Sequence, residues 1–184
     1  MADDAKKVTV GKPKVGGSVY RAPIGSTLPT DATTALDAAF ECLGYVSEDG
    51  LTNTTELETE NIKEWGGSSV LIVETSKDDQ WSMTLIEAMN IEVLKMVYGD
   101  TNVTGTLADG LVIKANSTPQ APASYVFEMI YNDSAVKRVV LPNAYVTEVG
   151  DITYVANEAV GYETTLTATA DAQGNTHYEY IKKG

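Results

Sequence analysis

The chain has one cysteine, Cys42, and one histidine, His177. A lone cysteine excludes an internal disulfide framework and fits folding in a reducing compartment. No run of 18 apolar residues occurs, and the N-terminus has no apolar h-region. The expectation is a chain that neither spans a membrane nor carries a signal peptide. Basic residues are scarce, 13 Lys and Arg against 26 Asp and Glu, so the formal net charge is −13. That argues against DNA or RNA as a bound partner, since binding needs clustered Lys and Arg. The groupings that carry chemistry are missing too. His177, between Thr176 and Tyr178, has no triad or metal partner at defined spacing and reads as an ordinary strand residue. Val15-Gly16-Gly17 lacks the Lys-Ser/Thr of a phosphate loop. The stretch Asp171–Asn175 lacks the spaced ligands of a calcium loop and reads as a hairpin turn. No catalytic residue, metal or cofactor is expected, and the protein does not read as an enzyme.

What is present is enough for one domain. At 184 residues, with 43% hydrophobic residues, the chain can bury a core without staples. Its charge is unevenly placed. Residues 1–30 set Lys6, Lys7, Lys12, Lys14 and Arg21 against Asp3 and Asp4. Residues 31–109 set 16 acids against Lys63, Lys77 and Lys95, a net of −13. A basic arm beside an acidic middle suggests complementary surfaces between copies, or repulsion of something anionic.

Residues 1–17 read as a flexible N-terminal arm, and 18–184 as a single β-domain. SVYRAP (18–23) is a short strand, and ALDAAFEC (35–42) predicts one or two helical turns capped by Asp31 or Thr34. Residues 50–66 predict a long extended arm, turned by Gly66-Gly67. SSVLIVET (68–75) predicts a strand, KDDQ (77–80) a tight turn, and WSMTLIEA (81–88) an alternating strand. The convincing helix is 91–98: Asn90 caps it, Ile91, Leu94, Val97 and Tyr98 recur at helical spacing, and Gly99 stops it. Everything later alternates or is β-branched, with turns at 108–110, 131–134 and 172–175. One helix against roughly ten strands predicts an all-β sandwich or barrel with one flanking helix and extended arms.

Glu56, Glu58 and Glu60 alternate along one face of the extended run. Their neighbours are Thr and Asn, so a solvated acidic face is expected rather than a catalytic carboxylate pair. Glu87 is expected to cap the helix start or to pair with a basic arm.

Residues 20–99 resemble the tail tube proteins (major tail proteins) of bacteriophages with long, non-contractile tails. The residues that carry this are the YRAP strand, the loop with Pro29, the short helix and LGYVSEDG (43–50). EWGG (64–67), WSMTLIEAMN (81–90) and VLKMVYG (93–99) follow in order. The resemblance implies a β-sandwich subunit that assembles into rings of six. Inner strands of such a ring join into one barrel, and rings stack into a tube that conducts DNA into the host without binding it. It implies tape measure, tail initiator and tail terminator proteins as partners, and a virion tail protein made in the host cytoplasm. Glu56, Glu58, Glu60 and Glu74 are then candidates to line the lumen. Lys6, Lys7, Lys12, Lys14 and Trp65 are candidates for ring-stacking arms. Two alternatives stay open: a tube subunit of a contractile or secretion-type injection machine, and a monomeric Ig-like decoration or binding module.

Overall fold

A computed structural model describes residues 3–132 and 135–183. The expected all-β architecture with one flanking helix is what the chain adopts. Its strands are β1 (Lys12–Pro13), β2 (Val19–Pro23), β3 (Glu41–Cys42), β4 (Val46–Lys63), β5 (Ser69–Leu85), β6 (Val103–Thr106) and β7 (Gly110–Ile113). They continue with β8 (Ala123–Ile130), β9 (Val136–Val149), β10 (Tyr162–Ala168) and β11 (Tyr178–Lys182), and α1 spans Ile91–Tyr98. A nine-stranded antiparallel sheet runs β3-β2-β8-β9-β10-β5-β4, with β1 on β8 and β11 on β9, and β6–β7 is a separate hairpin. The 131–134 turn expected from sequence falls partly outside the described residues.

The sheet curls. Trp81 on β5 and Phe127 on β8 stack with ring centroids 5.4 Å apart. Strands three places apart in a flat sheet would be separated by roughly 14 Å. The concave side so formed buries Met83, Leu85, Tyr125, Val139, Leu141 and Leu166, and α1 closes it with Val93, Leu94, Met96 and Val97. Helix α1 forms where its signals predict. The Asn90 side chain accepts from the Glu92 amide, and the Gly99 amide donates to the Lys95 carbonyl. Such a cap is worth about 1 kcal/mol.

The other face of β8 and β9 is covered by the segment between β2 and β3, through Leu28, Leu36, Ala39 and Phe40 against Val126 and Val140. Here the expected helical turns over 35–42 do not form. The Asp31 carboxylate does accept from the amides of Thr33 and Thr34, as a cap would. But Arg138 donates to the carbonyls of Asp31 and Thr34, at 2.8 and 2.9 Å. Those carbonyls are therefore held by β9 rather than by a helical ladder. The chain then turns at Asp37 and pairs Glu41–Cys42 with β2.

Two further expectations are corrected. KDDQ (77–80) is not a turn: β5 runs unbroken through it, with Lys77, Asp78 and Asp79 opposite Leu57, Glu56 and Thr55. His177 is not in a strand but directly precedes β11. Residues 8–14 lie along β8. The Lys14 amide donates to the Glu128 carbonyl, and Thr9 Oγ1 and the Val8 carbonyl accept from Asn132.

Candidate functional site: a one-signed sheet face and an exposed hairpin

Directly opposite residues in an antiparallel ladder share a face. From that rule the β4–β5 register sorts the hairpin. Leu51, Asn53 and Thr55 lie opposite Met83, Trp81 and Asp79, so they share the core side. Thr52, Thr54, Glu56 and Glu58 lie opposite Ser82, Gln80, Asp78 and Ser76 on the outer side. This outer face continues across the sheet. Glu163, Thr165 and Thr167 of β10 stand between Thr84, Ser82 and Gln80 of β5 on one flank and, on the other, Glu148 and Tyr145 of β9 beside Thr165 and Thr167. Hydroxyls pair across it: Ser82 with Thr165 at 3.2 Å and Thr147 with Thr167 at 2.8 Å. Ser76 Oγ donates to Glu58 Oε2 at 3.1 Å.

This face carries Glu56, Glu58, Glu60, Asp78, Glu148 and Glu163, with no lysine or arginine between them. Lys77, opposite Leu57, points to the other side. Glu56, Glu58 and Glu60 are all exposed and roughly 7 Å apart along the strand. Each neighbouring pair repels by about 0.6 kcal/mol in water, less with salt. That modest cost is tolerated on a solvated surface, and it sums to a strongly negative wall.

Of the four glutamates expected to act together, the structure groups three. Glu74 lies opposite Thr59, on the reverse side of the hairpin. A bulge between Glu58 and Thr59 leaves Thr75 unpaired and flips the alternation that would otherwise put Glu74 beside Ser76. Sequence parity alone does not reveal a bulge. Asp78, Glu148 and Glu163 were missed because each sits on a different strand and only the register unites them.

Beyond Thr55 and Asp79, where pairing with β10 ends, the hairpin leaves the body, and every residue from Thr52 to Thr75 is exposed. Its outer half is apolar on both sides: Ile62, Leu71 and Val73 on one, Ile72 on the other. A continuous run such as Val70–Val73 is the pattern of a strand buried on both faces. Here these side chains are 40% to 64% exposed. The tip is ordered by Glu64, whose carboxylate accepts from the amides of Gly66 and Ser68 at 2.9 and 3.3 Å. Those hydrogen bonds hold its carboxyl below the usual range. Gly67 supplies the positive φ that closes the turn. The turn projects Trp65 into solvent, fully exposed.

Of the arm lysines, Lys7 and Lys12 are exposed, and Lys14 reaches the buried Glu128 at 2.5 Å. The Lys6 side chain lies outside what is described. Glu87 accepts from the Tyr45 amide and from Asn90 Nδ2, so it ties the helix start to the turn at Gly44. A side chain at Gly44 would overlap that carboxylate, 2.0 Å from its carbon.

The root of the hairpin is clasped from the C-terminal segment. Asp79, 4% exposed, accepts from Asn53 Nδ2 at 2.7 Å, Thr176 Oγ1 at 2.7 Å and His177 Nδ1 at 2.5 Å. The His177 ring stands edge-on to Trp81. Burial pushes the Asp79 carboxyl up, but the hydrogen bonds from Thr176, His177 and Asn53 outweigh it, and the net shift is downward. A carboxyl with a lowered folded pKa contributes stability that is full above its unfolded value and fades as pH falls through the folded one. Asp79→Asn is therefore expected to cost about 1–3 kcal/mol at pH 7. The gap to wild type should narrow toward pH 3 and below. Urea unfolding at both pH values checks this; a gap that widens in acid would refute it.

Among the described residues no cluster of His, Cys, Asp or Glu is placed to hold a metal ion. No helix among them is long and apolar enough to cross a membrane. What distinguishes this all-β protein is a pair of surfaces, one polar with acids as its only charges and one apolar and projecting, which is the character of an assembly subunit. The family described as phage tail tube protein matches residues 1–184, the whole chain, and the chain belongs to that family. It is a structural component of the virion tail, which assembles with itself and with other tail components. No curated protein matches the sequence.

Proposed function

We propose that this subunit forms rings of six that stack into the tail tube, and that the acidic outer face of β4, β5, β10 and β9 lines a channel for DNA. The observation that carries the reading is the single sign of that face. A duplex in transit must not adhere to the wall. Lysines there would bind phosphates and release counterions, with affinity falling steeply as salt rises. A wall of Glu56, Glu58, Glu60, Asp78, Glu148 and Glu163 repels the duplex from every side, while Ser and Thr hydroxyls keep the surface wet. Glu74, on the reverse side, belongs in this proposal to the contacts of the hairpin rather than to the wall.

Closure of a ring also answers an edge problem. β4 is the edge of the sheet, an 18-residue strand open to pairing. A ring in which each sheet continues into the next leaves no free edge within it. The hairpin and the arm 1–17, with Lys7 and Lys12, then supply the contacts between rings. A tail initiator would nucleate the tube, a tape measure protein would set its length and a terminator would close it, with the subunit made in the host cytoplasm.

Replacing Glu56, Glu58 and Glu60 with Lys tests the wall. The segment is exposed, so the subunit should fold with an unchanged melting temperature. Particles carrying it should eject DNA slowly, with a defect that eases at high salt. Normal ejection at all salt concentrations would place these side chains outside the lumen. Shortened tubes that eject normally would place them between rings.

A further inference from the structure

The hairpin tip has a counterpart at the other end of its own strand. Immediately after β5, Ile86, Ala88 and Met89 form with Ala159 and Val160 an open, largely apolar recess of about 580 Å³, whose two polar lining residues are Glu87 and Asn90. Met89, in the lining, is 72% exposed. The tip, Glu64–Ser68, directly precedes β5, so tip and recess sit at opposite ends of one strand, on the order of 50 Å apart.

We propose that Trp65 of one copy seats in this recess on the copy in the next ring. The proposal rests on the tube reading and names the acceptor for the hairpin. A projecting apolar element at one end and an apolar recess at the other make a head-to-tail contact, which repeats along an axis without closing on itself. Each partner is unsatisfied alone. A tryptophan buries about 150–250 Å² when it docks, and here all of that area is wet. The turn that carries it is held by Glu64, so little order is lost on docking. Methionine at the acceptor suits it to an irregular aromatic guest. Of the charges near the contact, Glu64 is held by the amides of Gly66 and Ser68 and Glu87 by the Tyr45 amide and Asn90, while Lys63, two residues before Trp65, and Glu158, directly before Ala159, are exposed and of opposite sign.

Trp65 is one of two tryptophans, and the other, Trp81, is buried. Quenching of tryptophan fluorescence by iodide therefore reads Trp65. The quenching should fall severalfold when subunits assemble, and Trp65→Ala should raise the concentration needed for assembly by roughly 30-fold, the order of a tryptophan hot spot. The acceptor is located by cross-linking. Ser68→Cys and Met89→Cys are made as separate single variants in a Cys42→Ser background, mixed and assembled. Oxidation should yield a disulfide dimer in tubes and none in unassembled subunits. Tubes in which Trp65 stays quenchable, or in which it is protected while residues 68 and 89 do not cross-link, overturn this contact and leave the tube standing. Failure of the wild-type protein to form tubes, even with a tail initiator, would overturn the tube reading itself.

Discussion

A variant in which Asn-Gly replaces residues 57–77 is expected to fold as a stable monomer and to form no tubes at any concentration. The deletion removes the projecting half of the hairpin and rejoins Glu56 to Asp78, which already face each other in the ladder. A two-residue Asn-Gly turn fits that register and the twist of the strands. The clasp at the root survives, since Asn53, Asp79, Thr176 and His177 all remain. The concave core loses nothing, because none of its residues lies in the deleted span. The melting temperature should therefore stay within a few degrees of wild type, while sedimentation and electron microscopy show monomer alone. Loss of Leu57, Ile62, Trp65 and Val70–Val73 also removes most of the exposed apolar surface of the arm, so the variant should concentrate without aggregating. Tubes formed by this variant would show that the hairpin is not an assembly contact. An unfolded variant would show that the hairpin supports the core, against its exposure.

The largest loss of stability is expected from Arg138→Met. Arg138 and Glu128 are each 1% exposed and stand directly opposite on β9 and β8. Arg138 Nε donates to Glu128 Oε1 at 2.9 Å, and Nη2 approaches the same oxygen. Nη1 takes the carbonyls of Asp31 and Thr34. Removing the guanidinium strands a carboxylate inside the protein and releases the segment that packs Phe40 against Val126 and Val140. Lys14, partly exposed, compensates only one oxygen. Breaking one partner of such a pair costs about 3–5 kcal/mol. For a chain of this size that lowers the melting temperature by roughly 6–20 °C. The double variant Glu128→Leu/Arg138→Met should recover much of the loss, because two apolar side chains need no desolvation offset. Denaturant melts of both variants decide it; a double variant as unstable as the single would mean the backbone contacts of Arg138 dominate.

The outer acidic face was half legible. Glu56, Glu58 and Glu60 declare themselves by alternation, a property of one strand. Asp78, Glu148 and Glu163 join them only through a register that spans β5, β10 and β9. The hairpin was legible as an extended run with a glycine turn. Its true extent was not, because Lys77, Asp78 and Asp79 look like a turn when their partners are out of view.

What the sequence determined on its own is whatever a few neighbouring residues decide. Asn90 and Gly99 bound α1 because a cap is a contact between adjacent positions. Trp81, Met83 and Leu85 face the core because strand geometry alternates side chains. The turn at Glu64–Ser68 closes on its own carboxylate. The excess of acid, and its concentration in the middle of the chain, needs no structure at all. The tertiary fold decided what depends on distant partners. Asp79 can sit inside a strand because Thr176 and His177, 97 and 98 positions away, supply its hydrogen bonds. Residues 35–42 forgo a helix because Arg138, 104 positions beyond Thr34, holds the carbonyl at their start. The bulge at Thr75 turns Glu74 away from the other acids, and only pairing with β4 reveals it. In each case a local preference worth at most a few kcal/mol yields to burial and hydrogen bonding with residues that no short window contains.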